Sequence, residues 1–375
     1  MAGKAVPERL IFSRKAAESH PTVVLFGGIH GNEPAGVLAL ERIAKWLPAE
    51  VEGNIYAFRG NLKGLAQKRR FISFDLNRIW GQEEFNLVRN TAPEELEDEL
   101  LELSELLSEI DVILQKHGKR PVVFMDLHTT SAKSCSFLPF NDALMNRAIA
   151  ERFPVPLILG IEEFLDGALM SYINDLNHPA LAFEGGQHND PAAIDQHESF
   201  VKLTLHHLHI VELDRVEKER LESMLKPPPK VQTGFYEILH RHLIPTGAEF
   251  IMEPGFENFD FVELDEALAT QDGRVVSAPV SGQIFLPLYQ PVGEDGFFIG
   301  RPVSAFWLRL SARLRKWRFQ RVLAALPGIS PHPARPRCYL VNPRVTRILS
   351  REVFHLLGFR IKKLEAERWL LVQRD

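Results

Sequence analysis

His30 and Glu33 stand three residues apart in the segment 23–33, VVLFGGIHGNE, and His128 closes another apolar run in VVFMDLHTT. Two imidazoles and one carboxylate are the donor set of a catalytic zinc site, which keeps its fourth position for water. Zinc can lower the pKa of that water to about 7 and polarise a carbonyl. A second carboxylate, Glu184 in ALAFEGG, could take the water's proton and hand it to a leaving nitrogen. Amide hydrolysis puts negative charge on the carbonyl oxygen, and Arg70 is the candidate guanidinium to stabilise it, with Arg69 beside it as the alternative. Asn77 and Arg78 are adjacent donors suited to a substrate carboxylate, which Arg can bind with two parallel hydrogen bonds. Asp75 reads as a group that orients these side chains rather than one that reacts.

These residues share a position: each cluster directly follows an apolar strand-like run. Residues 23–26, 55–58, 121–125 and 180–183 read as short buried strands, and 157–160 as a further one. Helical periodicity after Pro34 places Val37, Leu40, Ile43, Ala44 and Leu47 on one face. Strands alternating with helices predict an α/β sheet with parallel members, and in such sheets the site forms beyond the carboxyl ends of the strands. His30 and Glu33, Asn61, His128 and Glu184 should therefore converge. Thr91 and Glu94 form a capping-box pattern that predicts the start of a long acidic helix ending near Gly118. Residues 141–153 and 198–225 read as helical, and residues 1–20 as peripheral.

The triple proline at 227–229 divides the chain, so the organisation is read as a catalytic domain over 1–226, a β-rich domain over 230–303 and a basic appendage over 304–375. The middle part has short β-type runs separated by Gly and Pro turns. The last begins with a basic amphipathic helix, about 304–326, and ends as strand–helix–strand. From Arg309 onward there are 16 Lys and Arg against 4 Asp and Glu, a net of +12 in a chain of net charge −5. That asymmetry allows three readings: a solvated helix face, docking against the acidic main body or a second subunit, or contact with nucleic acid or another acidic partner. No nucleic-acid motif supports the last.

At 375 residues, 45% hydrophobic and 25% charged, the composition is that of an ordinary soluble protein of two or three domains. No apolar run approaches the roughly 20 residues of a membrane helix, and the start lacks the apolar core of a signal peptide. Cys135 and Cys338 form no ligand-spaced pair and read as reduced thiols of a cytoplasmic protein. His206, His207 and His209 read as positions on one amphipathic helix, and His240 and His242 as positions on a β-type run, rather than as metal ligands. His178 and His188 flank the Glu184 strand and are candidate pocket residues.

Taken in order, GGIHGNE, RRFISFDLNR, DLHTT and FEGG resemble the succinylglutamate desuccinylase/aspartoacylase family, relatives of the zinc carboxypeptidases. The resemblance covers roughly residues 20–300. It implies a carboxypeptidase-like mixed sheet flanked by helices, with a smaller β-rich C-terminal domain that narrows the channel to the metal. It implies one zinc per chain on His30, Glu33 and His128, Glu184 as general base, Arg70 polarising the scissile carbonyl, and Asn77 and Arg78 holding a carboxylate. The expected reaction is hydrolysis of the linear amide of a small, carboxylate-bearing N-acyl amino acid. A carboxypeptidase acting on short peptides is the alternative enzyme, and a binding protein working through its basic tail the alternative of another class. The chain departs from aspartoacylases in having Asn174, not Arg, about ten residues before Glu184, and in offering only Tyr289 and Arg301 near the place of a substrate-binding Tyr.

Overall fold

The computed structural model describes residues 8–16, 20–317, 328–333, 338–342, 354, 357–363 and 369–373. Strands β1 (Leu10–Arg14) and β2 (Thr22–Gly27) lead into helix α1 (Ala35–Trp46). Strand β3 (Asn54–Arg59) is followed by α2 (Leu62–Gln67), α3 (Gln82–Asn90) and α4 (Asp98–His117). Then come β4 (Val122–Thr130), β5 (Leu138–Pro139), α5 (Leu144–Ala150), β6 (Pro156–Leu159), α6 (Leu169–Asp175) and β7 (Ala180–Gln187). Helices α7 (Ala192–His207) and α8 (Arg215–Leu225) precede the triple proline.

The first sheet has the order β1-β3-β2-β4-β7, parallel except for β1, which runs antiparallel to β3. Alternation along β2 explains its central place. Val23 and Leu25 enter one core with Leu40, Ile43 and Phe200, while Val24 and Phe26 enter a second core with Leu103, Leu106 and Ile110. Both faces are covered by helices, so the strand is apolar throughout. The apolar patch near the start is more than peripheral: it is the edge strand β1, with Phe12 buried in the first core.

Several expected boundaries move. The long acidic helix starts at Asp98 rather than at the Thr91 capping pattern. A 3₁₀ turn, Pro93–Glu95, intervenes, and extended Leu96 turns into the second core, where burial of its side chain outweighs helical continuity. The segment 198–225 is two helices, broken near His209, whose φ is +57°. The helix expected over 141–153 is limited to α5.

Beyond the prolines lie β8 (Gly234–Leu243), β9 (Phe250–Met252), β10 (Phe261–Val262), β11 (Ala267–Gln271), β12 (Arg274–Ser277), β13 (Gly282–Phe285) and β14 (Asp295–Pro302). The second sheet has the order β10-β13-β14-β8-β6-β5, so β5 and β6 from before the prolines pair into it, with β6 parallel to β8. The proline boundary is a break in the chain and not in the sheet. The run 157–160 thus forms its strand away from the sheet that carries His30 and His128.

Helix α9 (Ala305–Lys316) and strands β15 (Ile329–Pro331), β16 (Cys338–Val341), β17 (Phe359–Lys363) and β18 (Trp369–Gln373) complete the described residues. The remainder of the basic helix and nearly all of the C-terminal one lie outside them. Part of the basic charge is docked inward. Buried Arg315 reaches Asp142 with Nη1 at 3.3 Å from Oδ1, and its Nη2 donates to the Asp142 carbonyl at 2.7 Å. Arg147 Nε shares the same carboxylate oxygen at 2.6 Å. Arg360 donates to the Leu165 carbonyl at 3.2 Å. Removing one partner of a buried ion pair costs about 3–5 kcal/mol because the other charge is left uncompensated. Asp142→Ala, which strands two guanidiniums, is therefore expected to lower the thermal midpoint by several degrees and by more than Arg315→Ala. Calorimetric unfolding of the two variants checks the order.

Candidate metal centre

The carboxyl ends of β2, β4 and β7 meet at one place. Parallel register pairs Gly27 with Leu127 and His128 with Glu184, so a ligand candidate and the candidate base are cross-strand neighbours. After β2 the chain turns at Gly28, whose φ of +72° disfavours any side chain. Gly31 lets the next turn touch another: a Cβ there would lie 2.0 Å from the Gly64 carbonyl carbon. The Gly31 N–H donates to the Arg70 carbonyl at 3.1 Å, which ties the His30 turn to the arginine loop.

His30, Glu33 and His128 are all buried, and each offers one ligand atom within 4.8 Å of the others. Glu33 Oε1 is 2.8 Å from His30 Nδ1, and Oε2 is 3.1 Å from His128 Nδ1. The Thr129 N–H also donates to Oε2, at 3.0 Å. The far nitrogens face outer carboxylates, His30 Nε2 at 3.1 Å from Asp75 and His128 Nε2 at 2.7 Å from Asp126. Each ring is thus held between two carboxylates with its Nδ1 turned inward, the second-sphere arrangement that orients imidazole ligands. Two Nδ1 atoms and one carboxylate fit a divalent metal of the zinc type.

Electrostatics follow from the crowding. Burial opposes the charge on Glu33, yet His30 and His128 outweigh it and hold the carboxyl well below its usual range. Burial likewise opposes protonation of His128, but Asp126 and Glu33 keep its imidazolium well above the usual value. Asp75 is lowered, burial being overcome by Arg70 and His30. Glu184 goes the other way. Burial pushes its carboxyl up to about 8, with the Glu33 and Asp126 charges adding and His128 opposing, and its Oε2 is buried with no hydrogen-bond partner. A cation bound beside it would draw the proton off.

Of the two adjacent arginines, Arg69 is exposed and Arg70 lines the cavity. Arg70 Nε and Nη2 donate to Asp75 at 3.1 and 2.9 Å, and Nη1 lies 3.5 Å from Glu33. The loop itself hangs on buried Glu99, whose carboxylate accepts the N–H groups of Ile72, Ser73 and Phe74 at 2.7, 2.9 and 3.0 Å. Asn61 does not reach the cavity; it caps α2 and donates to Glu99 at 2.8 Å. Asn77 and Arg78 line the cavity from a 3₁₀ turn, Leu76–Arg78. The Asn77 carboxamide oxygen accepts the Leu169 N–H at 2.9 Å, and Arg78 Nη2 pairs with Asp295 at 2.7 Å. Asp295 in turn bonds Arg241, so Arg78 also ties the catalytic part to the β-rich part.

His188, which follows β7, lines the cavity, with Nδ1 2.7 Å from Thr129 Oγ1. His178, which precedes β7, lies at the opposite strand end and accepts the Val122 N–H at 3.2 Å. Asn174 is used structurally, donating to the His178 carbonyl at 2.9 Å. The Tyr289 hydroxyl donates to the Glu253 carbonyl at 2.7 Å and Arg301 pairs with Glu237, so neither lines the cavity. His206 accepts the Leu213 N–H at 3.3 Å, and His242 meets Gln271 at 2.9 Å. Sequence reasoning missed Asp126, although alternation places it on the face of His128, two residues on. It also missed Gln290 and Asp295, for which no local signal exists, since both arrive from the β-rich part.

The model of the succinylglutamate desuccinylase/aspartoacylase catalytic domain matches residues 19–211, a little over half of the chain and the part that holds the whole centre except its β-rich wall. The chain belongs to this family. No curated protein sequence matches it. Among solved structures it resembles a succinylglutamate desuccinylase/aspartoacylase from Rhodobacter sphaeroides, with a TM-score of 0.57 and 16% identity over 76% of this chain and 87% of that one. It also resembles a succinylglutamate desuccinylase from Vibrio parahaemolyticus, with a TM-score of 0.55 and 15% identity over 77% and 84%. The product-bound ectoine utilization protein EutE (DoeB) of Ruegeria pomeroyi gives a TM-score of 0.55 and 15% identity over 76% and 85%. At these identities the likeness shows the fold. Among the described residues no helix is long and apolar enough to cross a membrane.

Two measurements test the electrostatics. Asp126→Asn is expected to weaken zinc binding by about 10- to 100-fold, as loss of a second-sphere carboxylate does; unchanged affinity in a competition titration would remove Asp126 from that role. The folded Glu184 carboxyl, at about 8, binds its proton more tightly than an unfolded one at about 4.3. The unfolded chain therefore loses that proton first, and stability falls as pH rises through this window. After chelation of metal, Glu184→Gln should match the native chain near pH 4 and melt several degrees higher near pH 8. A pH-independent difference would contradict the raised value.

Proposed function

We propose that this protein is a zinc-dependent hydrolase that cleaves the linear amide of a small N-acyl amino acid, releasing a carboxylic acid and a free amine. The observation that carries the reading is the placement of Glu184 and Arg70 in one cavity with the His30–Glu33–His128 group. Those three residues would hold the metal, which when bound supplies Lewis-acid activation of water and of the scissile carbonyl. Family membership supports the reaction class.

Every other step belongs to the chain's own groups. Glu184 sits on the strand beside His128, and its Oε2 is free to accept a proton from the attacking water. Glu184 then carries that proton to the amide nitrogen as the C–N bond breaks, so that the amine leaves neutral. Arg70 is locked by Asp75, and its Nη1 side turned toward Glu33 faces the centre; there it stabilises negative charge on the carbonyl oxygen without reorganising. Arg78 anchors the substrate carboxylate. Its Nε is buried with no hydrogen-bond partner, while Asp295 and the Asn77 carbonyl hold its two other nitrogens and so set the plane of the guanidinium. The Asn77 carboxamide is oriented by the Leu169 N–H.

The cavity measures about 150 Å³ and is roofed by the β-rich part through Leu286, Leu288 and Gln290. Gln290 accepts from Asn32 at 2.8 Å and meets His188 at 3.2 Å, which closes the roof onto the turn that carries His30. The roof narrows the approach to the centre, which favours a short acyl amino acid over an extended peptide, and with it the amidohydrolase over the carboxypeptidase.

Release of free amine from a panel of N-acyl amino acids and short peptides, by zinc-loaded protein, tests the proposal. Glu184→Gln is expected to keep zinc and lose activity by at least about 100-fold, the scale of general acid–base catalysis. Turnover of peptides alone would favour the carboxypeptidase, and near-native turnover by Glu184→Gln would remove Glu184 as the base.

A further inference from the structure

The charges lining the cavity are unequal. Apart from the His30–Glu33–His128 group and Glu184, three carboxylates, Glu162, Glu294 and Asp295, face it against two guanidiniums, Arg70 and Arg78. Both guanidiniums are already engaged. Arg70 spends two nitrogens on Asp75 and turns the third toward Glu33, and Arg78 is held by Asp295 and the Asn77 carbonyl. Of their nitrogens only Arg78 Nε is a buried donor without a hydrogen-bond partner, with a Glu294 oxygen 3.9 Å away. One carboxylate can be met there. A second, placed away from the metal ligands, would face Glu162, Glu294 and Asp295 with no further guanidinium to offset it, and burying an unpaired charge is strongly unfavourable.

One side of the wall is largely apolar, with Asn141 and Ser171 as its neutral polar members. Phe140, Ile161, Leu165, Met170, Leu286 and Leu288 line it, drawn from the loops around β5 and β6, from α6 and from the β-rich part. Phe140 and Met170 are buried, so this surface is built into the fold. Two of these loops are braced from behind. The Asp142 N–H donates to Glu162 at 3.1 Å while Asp142 holds Arg315, and the Leu165 carbonyl holds Arg360.

We infer that the substrate carries a single carboxylate, met by Arg78, and an uncharged apolar side chain or acyl group that packs on the Phe140–Ile161–Leu165–Met170 wall. N-acyl derivatives of acidic amino acids are then poor ligands. The inference rests on the hydrolase reading for its chemistry, but the selectivity of the cavity is measurable without turnover.

The experiment uses zinc-loaded Glu184→Gln protein and calorimetric titration with N-acetyl-leucine, N-acetyl-methionine, N-acetyl-aspartate and N-succinyl-glutamate. The apolar pair is expected to bind at least about tenfold more tightly than the acidic pair, the discrimination available from a few methylenes and one unpaired charge. Adding Leu165→Arg should narrow or reverse the leucine-to-aspartate ratio. Equal affinities, tighter binding of an acidic derivative, or no binding of any of the four overturns the inference. Turnover of the same panel by the native protein is read separately: amine released from none, with the apolar pair still bound selectively, would defeat the hydrolase reading and leave the selectivity standing.

Discussion

Glu33 is a carboxylate with almost no access to water, and much of the centre exists to make that tolerable. Its two oxygens face the inner nitrogens of His30 and His128, a backbone N–H and Arg70. Burying a charge without such partners costs more than a fold can sustain. The far nitrogen of each imidazole is buried in turn, and Asp75 and Asp126 meet these from outside. Carboxylates and imidazoles alternate from Glu33 outward, and the same alternation prepares the inner atoms for a metal in place of protons.

A second buried carboxylate, Glu99, does comparable work at the level of the backbone. Three consecutive N–H groups in the loop 72–74 have no strand or helix to pair with, and Glu99 accepts all three. Buried N–H groups left unpaired would each destabilise the loop. With them satisfied, Arg70 and Asp75 are held at fixed places on either side of the loop. The position of Glu99 on α4 depends on where that helix begins, and this is why the late start at Asp98 matters to the chemistry.

The β-rich part and the appendage act on the same cavity from two directions. The former supplies the roof and, through Asp295, sets the orientation of Arg78. The latter braces the opposite wall through Arg315 and Arg360. Because β6 pairs with β8, the catalytic and β-rich parts share a sheet, and the roof is joined to the catalytic part by backbone hydrogen bonds as well as side chains. A small cavity of defined shape is the expected result of such continuity.

The amino-acid sequence by itself determined the strands that carry His128 and Glu184 and the strand that leads into His30 and Glu33, because buried parallel strands must be apolar runs and their polar ends stand out against them. The same contrast, with four short motifs in order, was enough to indicate the family and its donor set. Sequence puts Arg70 ahead of Arg69 without excluding the neighbour, and packing shows Arg69 exposed and Arg70 turned inward. Tertiary structure alone decided that Asn61 braces Glu99, that Arg78 meets Asp295, and that the run 157–160 joins the second sheet. Each of those depends on a partner distant in the chain, whose approach no local periodicity encodes. Short-range pattern is legible because burial and backbone pairing repeat every two or 3.6 residues, whereas pairing between distant polar groups follows from how the sheets and helices come together.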